Sequence, residues 1–493
     1  MTSELRKKID MGSSRISAKT QLSRRAVLAA GAGVAGACAG RAAVEARPNI
    51  VFIMADDLGY ADLSCYGRRE YETPNIDSLA RDGMRHLQAY ANSAVCSATR
   101  TALITGRYQY RLPVGLEEPI ALRDVGLPPS HPTLPSLLRD HGYHTALVGK
   151  WHLGALPEFG PLKSGYDHFW GYRSGAIDYF THMGVMAPDL WDGETRIEED
   201  GYLTDLLGQR AAEMISGFAK SDRPFFLSLH FSAPHWPWTG PDDEAESRRL
   251  AETGNPAALL HWDGGDLETY GAIVKRMDFQ VGRVLKALSD AGLEDNTIVV
   301  FTSDNGGERF SDTWPFSGKK THLLEGGVRV PSIVRWPQKL KAGSVSNDML
   351  ISMDWAPTLL HACGAQMHPD YPADGLDIFA LAGEQRLQER TLFWRYKNLS
   401  QEACRSGRWK YLKILDNRFL FNVVDDPLER ANLKERNPDI FERLTREYDA
   451  WNATMLPVDA LSYSHGFVGS EMADHFGLKR NPEDMPRPPA KPE

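Results

Sequence analysis

Two short pairs, Asp56-Asp57 and Asp304-Asn305, offer oxygen donors and nothing softer. Such a set suits a hard divalent cation such as calcium or magnesium. An isolated Asp-Asp pair is more often a solvated turn or a helix cap. Here, however, each pair follows an apolar run, residues 49–54 and 297–302, so strands laid side by side would unite them. A second group can move protons or oppose negative charge. Lys150 and His152 are two apart and can point the same way on an extended turn. His235 and the pair Lys319-Lys320 add another histidine and further cations. Aromatic and polar residues crowd positions 171–182 and 235–238, a mixture that suits a sugar ring, an arene or simple packing. Asp178, His182 and Trp238 are the expected substrate contacts from these stretches.

A site made from such scattered positions needs them at one edge of one sheet. Residues 49–54, 145–149, 225–231 and 297–302 are continuous apolar runs, as buried parallel strands are. Each ends in a polar cluster: Asp56-Asp57, Lys150-Trp151-His152, Ser232-Ala233-Pro234-His235 and Ser303-Asp304-Asn305. Helical patterns lie between them, at 134–140 and 270–291. In the second, Ile273, Met277, Val281, Val284, Leu285 and Leu288 make a core face. The alternation predicts an α/β fold with a mainly parallel sheet between helices, and ligands beyond the carboxyl ends of its strands. After residue 385 short strands are expected at 391–395, 408–414 and 418–422, then a turn at Asp425-Asp426-Pro427 and a helix at 437–451. The Pro-rich, charged tail from Lys479 reads as mobile.

Of the 493 residues, the first 46 differ in character. Ser23-Arg24-Arg25 precedes a mild Ala/Gly-rich stretch, the pattern of a twin-arginine export signal cleaved after Ala46, with a periplasmic or secreted destination. Ala35-Gly36-Ala37-Cys38 supports a weaker alternative, lipoprotein anchoring at Cys38. Without the leader, 56 basic and 65 acidic residues fall to 48 and 62, a formal charge of -14. So acidic a chain is a poor non-specific binder of nucleic acid. No later apolar run approaches the roughly 20 residues that span a bilayer. Besides Cys38 and Cys96, the cysteines are Cys65, Cys363 and Cys404, with no CxxC spacing. That excludes a zinc site or a disulfide framework and leaves at most one bridge, its members undetermined.

Cys96 lies in Cys96-Ser97-Ala98-Thr99-Arg100, followed by Gly106-Arg107. On its own it reads as a buried cysteine at a strand-to-helix turn. The segment resembles the modification signature of type I sulfatases, Cys-x-Pro-Ser-Arg, with Ala98 and Thr99 as departures. Asp56-Asp57, Lys150-Trp151-His152-Leu153-Gly154, Ala233-Pro234-His235, Asp304-Asn305-Gly306, Gly318-Lys319-Lys320 and Glu325-Gly326-Gly327-Val328-Arg329 follow the family's order. The likeness is strong over residues 48–360 and diffuse beyond.

The resemblance implies an alkaline-phosphatase-like fold. Residues 47–385 would be the catalytic domain and 386–478 a C-terminal antiparallel-sheet-plus-helix subdomain, between the leader (1–46) and the tail (479–493). It also implies 3-oxoalanine (formylglycine) made from Cys96 by a maturase, whose hydrate is the nucleophile, and Ca2+ (Mg2+ second) on Asp56, Asp57, Asp304, Asn305 and modified Cys96. Arg100 would brace diol and ligands, Lys150 position the diol, and His152 take the proton that releases sulfate. His235 and Lys320 would flank the ester oxygen, Lys320 being chosen over Lys319 by its distance from Glu325. Glu325 and Arg329 would hold the loop. The implied activity is sulfate-ester hydrolysis, of a sulfated carbohydrate or small aryl sulfate, with the twin-arginine translocase as export partner. Two alternatives stay open: a phosphonate or phosphodiester hydrolase of the same superfamily, and a binding protein with unconverted Cys96.

Overall fold

Ten strands form the central sheet of the computed structural model, which describes residues 46–116, 124–458 and 462. The expected apolar runs build its middle. Thr297–Ser303, Asn49–Ala55, Phe225–His230, His144–Lys150 and His168–Tyr172 lie side by side in that order, all parallel. Ser332–Arg335 pairs antiparallel with Thr297–Ser303, and Met84–His86 and Ser344–Ser346 continue that edge. Trp191–Asp192 and Thr195–Arg196 close the other edge.

Covering helices explain why these strands are apolar throughout. On Asn49–Ala55, Val51, Ile53 and Ala55 enter one core while Ile50, Phe52 and Met54 enter another on the opposite face. Pro74–Asp82, Leu203–Phe218 and Leu267–Asp290 pack over the first face; Cys96–Thr105, Leu134–Asp140 and Trp355–Ala362 pack over the second. A strand buried on both faces cannot alternate with polar residues.

The C-terminal region is a four-stranded antiparallel sheet, Thr391–Tyr396, Gln401–Ser406, Trp409–Ile414 and Asn417–Asn422, with the helix Pro438–Asn452 on one face. Its other face shares a core with Tyr90, Val95 and Ala98 around the Cys96 helix and with Leu323 and Val328. The described chain from Ala46 onward accordingly forms one compact unit.

Several elements escape the sequence reading, three of them for a clear physical reason. The helix Leu203–Phe218 has apolar residues every fourth position, Leu203, Leu207, Ala211 and Ile215, which count as a core face only once its neighbours are known. The strand His168–Tyr172 is short and interrupted by Gly171. Gln401–Ser406 is polar in sequence, and becomes a strand because both its neighbours supply ladder partners. Among the described residues, no disulfide joins Cys65, Cys96, Cys363 and Cys404. The proposed leader, the lipoprotein alternative at Cys38 and the tail from 479 lie outside the described residues.

Leu229, fully buried on the central strand Phe225–His230, tests this layering. Leu229→Ala is expected to destabilise the protein by about 2–5 kcal/mol through lost burial and a residual cavity, read by denaturant unfolding.

Candidate active site

The first strand delivers Asp56 and Asp57, and the neighbouring strand Thr297–Ser303 delivers Asp304 and Asn305, at the same edge. Asp57 adopts φ 64°, in the left-handed region. This turns its backbone N–H onto Asp304 Oδ1 at 3.2 Å. Asn305 Nδ2 donates to Asp57 Oδ1 at 2.7 Å, leaving Asn305 Oδ1 free. The three carboxylates are at most 2% exposed.

Cations answer this buried charge. Arg100, one turn into the Cys96–Thr105 helix, donates from Nε and Nη2 to Asp304 Oδ2 at 3.0 and 2.7 Å. Lys150 Nζ reaches Asp56 Oδ2 at 2.6 Å, and Lys320 Nζ reaches Asp57 Oδ2 at 2.7 Å. Each acid therefore has its own basic partner, brought from a different part of the chain. Burial and the neighbouring Asp304 hold the Asp56 carboxyl well above the usual range, against the pull of Lys150. Burial pushes Asp304 the same way, but Arg100 and Lys150 outweigh it and its carboxyl is lowered.

Cys96 is the first residue of its helix and 3% exposed. Its Sγ and oxygens of Asp56 and Asp304 all lie within 4.8 Å of one another, as do candidate ligand atoms of Asp56, Asp57 and His235. The residues fit a hard cation on two grounds. The donors beside Cys96 are oxygens, and two of them, Asp56 Oδ1 and Asn305 Oδ1, are buried without a hydrogen-bond partner. A shared cation would satisfy both and offset three carboxylates at once.

Two histidines border the cluster. His152 follows the Lys150 strand in the left-handed region (φ 55°), its N–H bonded to the Arg173 carbonyl at 3.1 Å. Burial, then Lys150 and Arg100, depress its imidazolium strongly, so the ring is neutral. His235 Nδ1 donates to the Trp236 carbonyl at 2.8 Å, leaving Nε2 to face Asp57 Oδ2 at 3.6 Å. Burial and then Lys320 depress His235 as well. Lys319 is absent from these contacts; its carbonyl accepts from His322 N–H.

The three expected substrate contacts are not drawn into this cluster. Asp178 Oδ1 binds its own loop, accepting from Phe180 N–H, Thr181 N–H and Thr181 Oγ1 at 2.7–2.9 Å, and from Ser247 Oγ. His182 lines a cavity of about 530 Å³ with Glu198, Glu199, Asp200 and Arg248. Trp238 is buried under Arg309, whose guanidinium lies 4.2 Å from its ring, and against Phe310. Aromatic and polar types in these segments mark packing as readily as binding. His230 is the missed neighbour: its Nδ1 lies 3.3 Å from Arg100 Nη1, and burial, then Arg100, lower its pKa to about 3. Its signal was a histidine inside the otherwise mostly apolar run 225–231, one residue before its end.

The fold and this cluster define a hydrolase of the alkaline-phosphatase-like superfamily, built to oppose negative charge around a hard-cation site. Residues 48–365 match the family described as Sulfatase, and residues 316–450 match N-sulphoglucosamine sulphohydrolase, C-terminal. The chain is 30% identical to Arylsulfatase J of Mus musculus, covering 84% of this chain and 77% of that protein. It is 33% identical to N-acetylgalactosamine-6-sulfatase of Sus scrofa, over 78% and 73% of the two. Among solved structures it resembles Ps i-CgsB in complex with k-i-k-neocarrahexaose, with TM-score 0.77 and 28% identity, over 87% of this chain and 98% of that one. The chain belongs to the sulfatase family, as a type I sulfatase, and is a sulfuric ester hydrolase.

Two predictions follow from the geometry. Chelation of divalent metal is expected to lower the melting temperature by a few degrees and calcium to restore it, since saturation at 100 Kd adds about 2.7 kcal/mol; calorimetry reads both. A Cβ on Gly175 would lie 2.7 Å from His152 Cε1. Gly175→Ala is therefore expected to displace that ring and lower kcat on an aryl sulfate by about 10–100-fold, in steady-state assays.

Proposed function

We propose that this sulfatase hydrolyses sulfate esters of a carbohydrate through formylglycine at residue 96, with Ca2+ held by Asp56, Asp57, Asp304, Asn305 and the modified residue. The observation that carries the reading is the buried group of Cys96, Asp56 and Asp304 at a helix N-terminus. A thiol has no evident use beside hard oxygen donors, whereas an oxygen function at the same position would join them. Hydrated formylglycine supplies an oxygen nucleophile and a way to expel sulfate as its aldehyde reforms. Calcium supplies Lewis-acid stabilisation of the sulfuryl oxygens.

The chain's own residues do the rest. The N-terminus of the Cys96 helix favours negative charge beside residue 96. Arg100 and Lys150 orient Asp304 and Asp56. His152, neutral because buried among cations, has the acceptor nitrogen its role needs. Lys320 and His235 converge on Asp57 Oδ2 and stand where they can flank the departing ester oxygen. The carbohydrate reading draws on relatives named for N-acetylgalactosamine and crystallised with k-i-k-neocarrahexaose. Asp178 and Trp238 then act as supports of the surrounding loops, while His182, at the wall of its cavity, stays a candidate substrate contact.

The leader sequence supports twin-arginine export to the periplasm or beyond, after the maturase and metal have acted in the cytoplasm. Among the described residues, no helix is long and apolar enough to cross a membrane.

Peptide mass spectrometry across residues 90–107, on protein from its native host, is expected to find formylglycine at position 96. Cys96→Ala is expected to reduce turnover of 4-nitrophenyl sulfate at least about 10³-fold, as loss of a nucleophile does. Unmodified Cys96 in active mature enzyme would overturn the nucleophile. Faster cleavage of 4-nitrophenyl phosphate than of the sulfate would overturn the choice of ester.

A further inference from the structure

Lys320 sits in a loop with little regular structure of its own, yet its ammonium must meet Asp57 within a hydrogen bond. The C-terminal sheet holds that loop from both sides. Gln401, first residue of its strand Gln401–Ser406 and 1% exposed, turns both ends of its amide to it. Its Nε2 donates to the Thr321 carbonyl at 2.8 Å, and its Oε1 accepts from Leu323 N–H at 2.8 Å. One side chain thus bridges the turn directly after Lys320, as a short strand would. The second Nε2 hydrogen goes to the Asn398 carbonyl at 3.1 Å, which fixes the amide's orientation.

The turn needs such a hold. Thr321 is β-branched and has φ 73°, a conformation that β-branched residues avoid. Its N–H binds the carbonyl of Ala94, two residues before Cys96, and Lys320 N–H binds that of Gly307, two residues after Asn305. The strained turn therefore joins both halves of the catalytic cluster to the C-terminal sheet. Further along, Glu325 N–H donates to Glu429 Oε2 at 2.6 Å, while Lys410 Nζ bridges Glu325 Oε1 and Glu429 Oε1 at 3.0 and 2.9 Å. All three side chains come to rest with little or no exposure, so this second grip is a buried one.

We propose that Gln401 is a positioning residue for Lys320, by which the C-terminal sheet sets the cation at the departing ester oxygen. This rests on the reading that Lys320 serves the leaving group. Without the Gln401 bridge, Thr321 can relax toward ordinary backbone angles, and the flexible lysine stem loses its fixed starting point.

The test compares phenyl sulfate with 4-nitrophenyl sulfate, whose leaving group needs less assistance, on enzyme verified as formylglycine-bearing. Gln401→Ala is expected to lower kcat/KM about tenfold or more for phenyl sulfate and less than about threefold for 4-nitrophenyl sulfate. Lys320→Ala should show the same bias more strongly, and the double variant should be no worse than Lys320→Ala alone. Gln401→Met keeps the size but loses the hydrogen bonds to Thr321 and Leu323; it should show the same bias and supplies a second variant, without a cavity, if the alanine is unstable. Equal losses on both substrates, no loss, or additive losses in the double variant would overturn the role of Gln401. Lys320→Ala without leaving-group bias would instead overturn the role of Lys320, whatever Gln401 does.

Discussion

Three carboxylates, Asp56, Asp57 and Asp304, sit together almost out of contact with water, and the structure is arranged around that constraint. Buried like charges in contact are untenable unless each is paired or shares a cation. Arg100, Lys150 and Lys320 meet one carboxylate each, from a helix, a strand end and a loop. Those pairings fix where the Cys96 helix begins, how the Lys150 strand ends and where the Lys320 loop closes. The site is thereby organised by charge before any ligand enters, and Asp56 Oδ1 and Asn305 Oδ1 stay open for a shared cation. Preorganised cationic groups of this kind suit a reaction in which sulfuryl and leaving oxygens gain negative charge.

Backbone strain is found in the same place too. Asp57, His152 and Thr321 all adopt positive φ without being glycine. Such conformations cost of order 1–3 kcal/mol each and persist only where the surroundings enforce them. Here the enforcing contacts are visible: Asp304 under the Asp57 N–H, the Arg173 carbonyl on the His152 N–H, and Gln401 across Thr321. Each strained residue carries or adjoins a group of the site, so the strain aims side chains that regular strands and turns would direct elsewhere.

The C-terminal sheet belongs to this arrangement as much as the parallel sheet does. It shares a core with Val95, Ala98, Leu323 and Val328, and grips the Lys320 loop through Gln401 and Lys410, with Glu429 from the turn that follows it. A change of architecture along the chain is therefore not a division of labour. The parallel sheet brings the acids together, and the smaller sheet steadies one of the cations that answers them.

The sequence by itself determined four of the five central parallel strands and the acidic, lysine and histidine groups at their ends. Those strands are buried on both faces, so their apolar runs stand out, and the polar clusters ending them are equally plain, as at Met54 before Asp56. Ordered motifs also marked the family. Only the tertiary structure decided the pairings and the outer contacts. Which acid meets Arg100 depends on how adjacent strands and loops register, and local pattern carries no record of that. Asp178, His182 and Trp238 have the residue types of a binding site, but only the structure shows Asp178 bonded to its own loop, Trp238 packed under Arg309 and His182 at the wall of a separate cavity. Gln401 shows the converse: a polar residue in an unremarkable segment acquires its role because a loop 80 residues earlier in the chain folds back against it.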